Sequence, residues 1–122
     1  MTYLFTILEK IKNRYGVYIG HKSLYKLADF IAGFECAVYE LTSANIDFNS
    51  KFQIFIENRT KTICTGKHWS DIISESISQE TAFDLFFVYL DDFKKLVNNS
   101  NVFSDMYEEN MRNVKSWFNN EN

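Results

Sequence analysis

RYGVYIGHKSLYKLADFIAGF, residues 14–34, decides the fold. A basic residue and two glycines separated by bulky side chains lead into a long apolar run. A phosphate-gripping loop would put closely spaced glycines and a lysine at the mouth of a helix, directly after a strand. Here a helical pattern precedes the glycines, and Tyr15, Val17, Tyr18 and Ile19 crowd them. The stretch therefore reads as a connection between two helices. Its glycines supply backbone angles, Tyr18 and Ile19 plug the core, and Ser23 caps the helix that follows.

The same reading extends outward in both directions. Upstream, residues 2–13 place Leu4, Ile7, Leu8 and Ile11 on one helix face. Downstream, the helix capped by Ser23 runs to about Leu41. At about 100° per residue, Lys22, Lys26, Asp29, Gly33 and Glu40 share one narrow stripe. Nearly everything else is apolar or small, which puts this helix in the middle of the domain. Ala28, Ala32 and Ala37 would admit close neighbours. Glu35 breaks the pattern by projecting on the apolar side. A buried carboxylate needs partners, so a hydrogen bond or a pairing with a basic or tyrosine side chain is expected.

A short third helix over 49–59 turns Phe52, Phe55 and Ile56 inward, and residues 60–67 form a loop or a brief extended piece. HWSDIISESI carries a fourth helix anchored by Trp69, Ile72 and Ile73. Ser78 caps a fifth over 79–97. Its Phe83, Phe86, Phe87, Leu90, Phe93 and Val97 cover most of the circumference, leaving Asp84, Asp91 and Lys95 as a thin exposed stripe. This is the second central helix. Asn98 to Asn101 break it, and a last helix follows to about Phe118, with Phe103, Tyr107, Met111, Val114 and Phe118 inward. The expected fold is all-α: one domain over 1–122, with five to six helices around two central apolar ones.

The 122 residues are enough for one domain with a real core. The chain has no proline and four glycines, which suits long helices and short loops. No apolar run approaches the roughly 20 residues that span a bilayer. The first helix carries its charges after its apolar residues, unlike a secretory leader. A cytoplasmic location is expected, with Cys36 and Cys64 as reduced thiols. Charge is uneven: residues 1–70 carry nine Lys/Arg against six Asp/Glu (+3), and residues 71–122 carry four against ten (-6), giving the net -3. An acidic half favours a basic partner and opposes nucleic acid.

Motifs for chemistry are weak. RYGVYIG resembles the R-P-G-M-Y-I-G segment of type II topoisomerase ATPase subunits, but the rest of that site is absent, so no nucleotide cofactor is expected. Cys64 and His68 have the spacing of half a zinc site. Cys36 and His21 do not complete it with paired short spacings, so no metal is assigned. His68, Ser70 and Asp71 are close in sequence, which is not a triad. The pairs Asp91–Asp92 and Glu108–Glu109 diverge on helices, against a two-carboxylate glycosidase. Lys10, Lys12, Arg14, Lys22 and Lys26 with Tyr15 and Tyr18 make only a modest basic patch. The expectation is a protein that is not an enzyme and uses no cofactor.

Three blocks, GVYIGHKSLYKLADFIAGF, FQIFIENRT and HWSDIISESISQETAFDLFFVYLDDF, taken in order resemble a bacterial family of small helical immunity proteins. The family pattern is a G-x-Y-I/L-G turn, an S-x-x-x-L-x-x-F-x-x-G helix, a W-x-x-I-I segment and an A-F-D-x-F-F helix. The resemblance covers residues 14–96 and consists mainly of packing positions. Such proteins belong to toxin–immunity loci, including contact-dependent growth inhibition systems. The resemblance implies a cytoplasmic antidote that binds a toxin domain, often a basic nuclease, as a 1:1 heterodimer, with no role for nucleic acid or membrane. An acidic surface would steer such a partner. The candidates are Asp71, Glu75, Glu80, Asp84, Asp91, Asp92, Glu108 and Glu109, with Asp71, Glu75 and Asp84 foremost. Trp69, Tyr89 or Trp117 would supply an aromatic anchor. The alternative is a small helical adaptor or regulator without a toxin partner.

Overall fold

The computed structural model describes residues 1–62 and 65–121. Among the described residues six helices follow one another: α1 (Thr2–Tyr18), α2 (Leu24–Thr42), α3 (Phe48–Thr60), α4 (Trp69–Ser74), α5 (Gln79–Lys94) and α6 (Val102–Glu121). The fold is all-α around one contiguous core, as the periodicity implies.

Two helix starts follow directly from serine. Ser23 and Ser78 sit in extended backbone, and their hydroxyls accept from the N–H groups of Lys26 and Thr81 at 3.3 and 3.1 Å. Each satisfies one of the donors that a helix N-terminus leaves without a partner. Helix α3 starts differently. Its N-cap residue Asp47 is in left-handed backbone (φ 60°) and makes no side-chain cap bond. The missing acceptor arrives from another helix: Glu35 of α2 accepts from the Asn49 backbone N–H at 2.9 Å and from Asn49 Nδ2 at 3.1 Å. Glu35 is thus half-buried and hydrogen-bonded as expected, but its partner is an amide, not a cation or tyrosine.

The hub of the packing is α3, which touches α2, α4, α5 and α6. Phe52 lies at its centre, with its ring 4.9–5.8 Å from those of Phe48, Phe55, Trp69, Phe86 and Phe93. Most of these pairs are edge-to-face, the arrangement the ring quadrupole prefers. Helix α5 is central as expected, burying Ala82, Phe83, Phe86, Phe87, Leu90 and Phe93. It ends earlier than the sequence suggests, at Lys94.

Three expectations are corrected. Helix α2 is central only through its first half: Leu24, Leu27, Ala28 and Ile31 are buried, whereas Ala32, Cys36, Ala37 and Leu41 are exposed. Its run of small apolar residues outlasts the neighbours available to cover it. The connection at residues 14–23 begins as a kinked extension of α1 that runs to Tyr18, with the kink at Arg14 (φ -141°, ψ 47°). Gly16 is therefore helical, only Gly20 takes left-handed backbone (φ 87°), and Tyr18 is exposed while Ile19 packs on the core. Helix α6 is turned by roughly a quarter-turn from the expected phase. It buries Phe103 and Asn110 with Met106 beside them, leaving Tyr107, Met111 and Phe118 exposed. Asn110 accounts for this phase. Its Oδ1 accepts from Asn58 Nδ2 (3.0 Å) and its Nδ2 donates to the Ile54 carbonyl (3.3 Å), so a polar residue sits satisfied against α3.

Candidate functional site

Cavities were the first places where chemistry could reside. A groove of about 580 Å³ lies between α1 and the end of α2, walled by Tyr3, Ile7, Phe34, Val38 and Ile46. Its two threonine hydroxyls are turned into the backbone, Thr6 toward the Thr2 carbonyl and Thr42 toward that of Val38. The groove presents hydrocarbon and has no acid–base pair. A cleft of about 370 Å³ holds Glu57, Lys67 and His68. Gln53 ties it together. Its Oε1 accepts from the Trp69 N–H (2.6 Å), and its Nε2 donates to Glu57 Oε1 and to the Lys67 carbonyl (2.9 Å each). That network anchors the loop ahead of α4.

His68 is the N-cap of α4. Its Nδ1 accepts from the Ser70 N–H at 3.2 Å and lies 2.8 Å from Ser70 Oγ. Desolvation of the ring against Trp69 lowers its pKa, opposed by the nearby charges of Asp71 and Asp29. Ser70 is buried, so its hydroxyl supports the cap and is not presented to a substrate. Among the described residues no three His, Cys, Asp or Glu side chains converge as metal ligands, and no helix is long and apolar enough to cross a membrane. Cys64, the other half of the expected zinc spacing, lies outside the described residues. Cys36 is an exposed free thiol.

The acidic candidates separate into groups. Asp71, Glu75, Glu80 and Asp84 are exposed around the junction of α2, α4 and the start of α5. Asp29 of α2 belongs to the same face, and its charge is felt at His68 together with that of Asp71. The organiser is Tyr25, an exposed side chain absent from the expected anchors. Its hydroxyl donates to Asp71 Oδ1 at 2.8 Å, and its backbone N–H donates to Gln79 Oε1 at 2.8 Å. Gln79 also accepts from Ser23 Oγ and donates to Ser74 Oγ, so one side chain joins all three helices. The hydrogen bond to Asp71 raises the Tyr25 pKa, with desolvation adding to it. Sequence carried a signal for Tyr25: on a helical wheel it lies about 40° from Asp29 and flanks the Lys22–Asp29 polar stripe.

Lys22 tempers the face. Its Nζ donates to Asp84 Oδ2 at 2.8 Å, which raises the lysine pKa, and Lys26 adds a second positive charge nearby. Farther along α5, Asp91 continues the exposed stripe beyond Val88. The other candidates do not join the face. Asp92 turns away to Arg59 (2.9 Å) and Lys95 (3.8 Å). Tyr89 is half-buried against the core. Trp69 is fully buried and donates its Nε1–H to Asn49 Oδ1 at 2.9 Å, so it cannot anchor a partner. Glu108 and Glu109 lie on α6. Asn58 and Lys61 stabilise the Glu109 carboxylate and lower its pKa. Trp117 is exposed, but also on α6.

No protein-family model, no curated protein and no solved structure matches this chain.

Proposed function

We propose that this protein is an immunity protein that binds and neutralises a basic toxin domain, of the nuclease type, through the face centred on Tyr25. One observation carries this reading. Asp71 already holds the exposed Tyr25 in place, on three helices joined by Gln79, and Glu75 and Glu80 are exposed close by in the chain where α4 gives way to α5. An aromatic anchor with few rotamers left to freeze, on a face whose acids outnumber its lysines, suits fast and specific capture of a basic protein. The resemblance of residues 14–96 to helical immunity proteins points the same way. Direct blockage requires no catalytic group of its own.

The test is co-purification of the tagged chain, expressed from its own locus with its neighbouring genes, compared with the variant Asp71→Lys/Glu75→Lys. The expected result is a stoichiometric basic protein on the wild-type chain and its loss from the variant. With that partner in hand, stopped-flow association should slow by about ten-fold or more between low and high salt, as for steered encounters. Capture that survives the charge reversal, or association indifferent to salt, overturns the proposal.

A further inference from the structure

Helix α6 carries two apolar stripes, and only one is used. Phe103, Met106 and Asn110 face α3. Tyr107, Met111, Val114 and Phe118 form the second, with successive spacings of four, three and four residues. That is the seam of a two-stranded helical coil. Tyr107 and Phe118 are 53% and 52% exposed, Met111 is 39% exposed, and Trp117 flanks them at 54%.

We infer that this stripe is a self-association surface, and that its occupant is α6 of a second copy, running antiparallel. The apolar spacing admits either direction, and the charges beside it select the antiparallel one. A two-fold axis between Arg112 and Asn113 sets Tyr107 against the second copy's Phe118, and Met111 against the second copy's Val114. The same register places Glu108 beside the second copy's Lys115, and symmetry repeats the contact. Glu108 and Lys115 have no ion-pair partner within the chain among the described residues. A parallel pairing would leave these two charges a full heptad apart.

The area is modest. Burying the exposed parts of Tyr107, Met111, Trp117 and Phe118 from both copies removes on the order of 800 Å², from typical aromatic side-chain areas. Stable complexes bury about 1,200 Å² or more, so this dimer is a weak and reversible one. The stripe is on α6, away from the Tyr25 face, and the inference stands independently of the proposed partner.

Sedimentation equilibrium of the full chain from about 10 to 500 µM, a range suited to weak association, tests it. A monomer–dimer equilibrium is expected. Met111→Lys should weaken it at least ten-fold, with unchanged far-UV circular dichroism. Glu108→Lys alone should also weaken it, and Glu108→Lys combined with Lys115→Glu should restore it. The surface charge variants keep the test intact should Met111→Lys perturb the helix. A chain that stays monomeric throughout, a dimer indifferent to Met111→Lys, or a double charge exchange that fails to rescue overturns the inference.

Discussion

Removing the Asn49 side chain should uncouple three helices at once. Its amide accepts from the Trp69 indole and donates to Glu35, while the Asn49 backbone N–H also reaches Glu35. In Asn49→Ala the indole N–H, on a side chain with no solvent exposure, is left without an acceptor. Such an orphan costs about 1–3 kcal/mol. The bond to the Glu35 carboxylate is also lost, but Glu35 keeps the backbone N–H and is only half-buried, so water offsets part of that loss. The expected total is about 2–4 kcal/mol, a large share of the 5–15 kcal/mol typical of a domain. Urea unfolding followed by circular dichroism measures it, with an unchanged m-value marking a loss confined to the folded state. A cycle with Trp69→Phe isolates the shared bond, since that variant removes the orphaned donor. The two changes together should cost about 1–2 kcal/mol less than their sum. A loss below about 0.5 kcal/mol in Asn49→Ala, or coupling within about 0.3 kcal/mol of zero, refutes the reasoning.

Two further expectations concern backbone and pH. Gly20→Ala should destabilise the fold by about 1 kcal/mol because of its left-handed backbone, whereas Gly33→Ala, with open space around the added carbon, should stabilise α2 by about 0.4–1 kcal/mol; thermal melts that reverse either sign reject this account. The folded-state pKa of His68 lies below its ordinary value of about 6.5, so the stability it contributes is complete above that pH and is lost as pH falls from there through the folded-state value, when protonation of Nδ1 removes the acceptor for Ser70. His68→Asn keeps a capping acceptor without titrating, so its urea midpoint should fall less than the wild type's on acidification below about pH 6.5; parallel slopes would count against the cap.

The helices were legible where a local chemical signal coincided with a hydrophobic period. Ser23 and Ser78 announce α2 and α5 because a hydroxyl before an apolar run has one favourable use. The phase of α6 was not legible. Its heptad stripe is apolar, while the face that packs carries Asn110, whose burial depends on an amide 52 residues away in α3. Trp69 illustrates the same limit, since a tryptophan at a helix start serves equally as a core residue or an anchor until its neighbours are placed. The exposure of the acids of α4 and early α5 was legible, yet sequence could not show that Asp92 and Glu109 are engaged by Arg59 and Lys61. Tyr25 flanks a polar stripe in sequence, but its role as organiser rests on Asp71 and Gln79, which other helices bring to it.

The start of α3 bears on the order in which the chain folds. Helix α5 carries its own start signal and can form transiently before anything else is in place. The first turn of α3 instead waits for a carboxylate that α2 must deliver. The helix that joins the others is thus conditional on them, and a peptide covering residues 48–60 should have little structure in isolation. A central element that cannot persist alone leaves few stopping points between the unfolded chain and the finished domain, which favours an all-or-none transition.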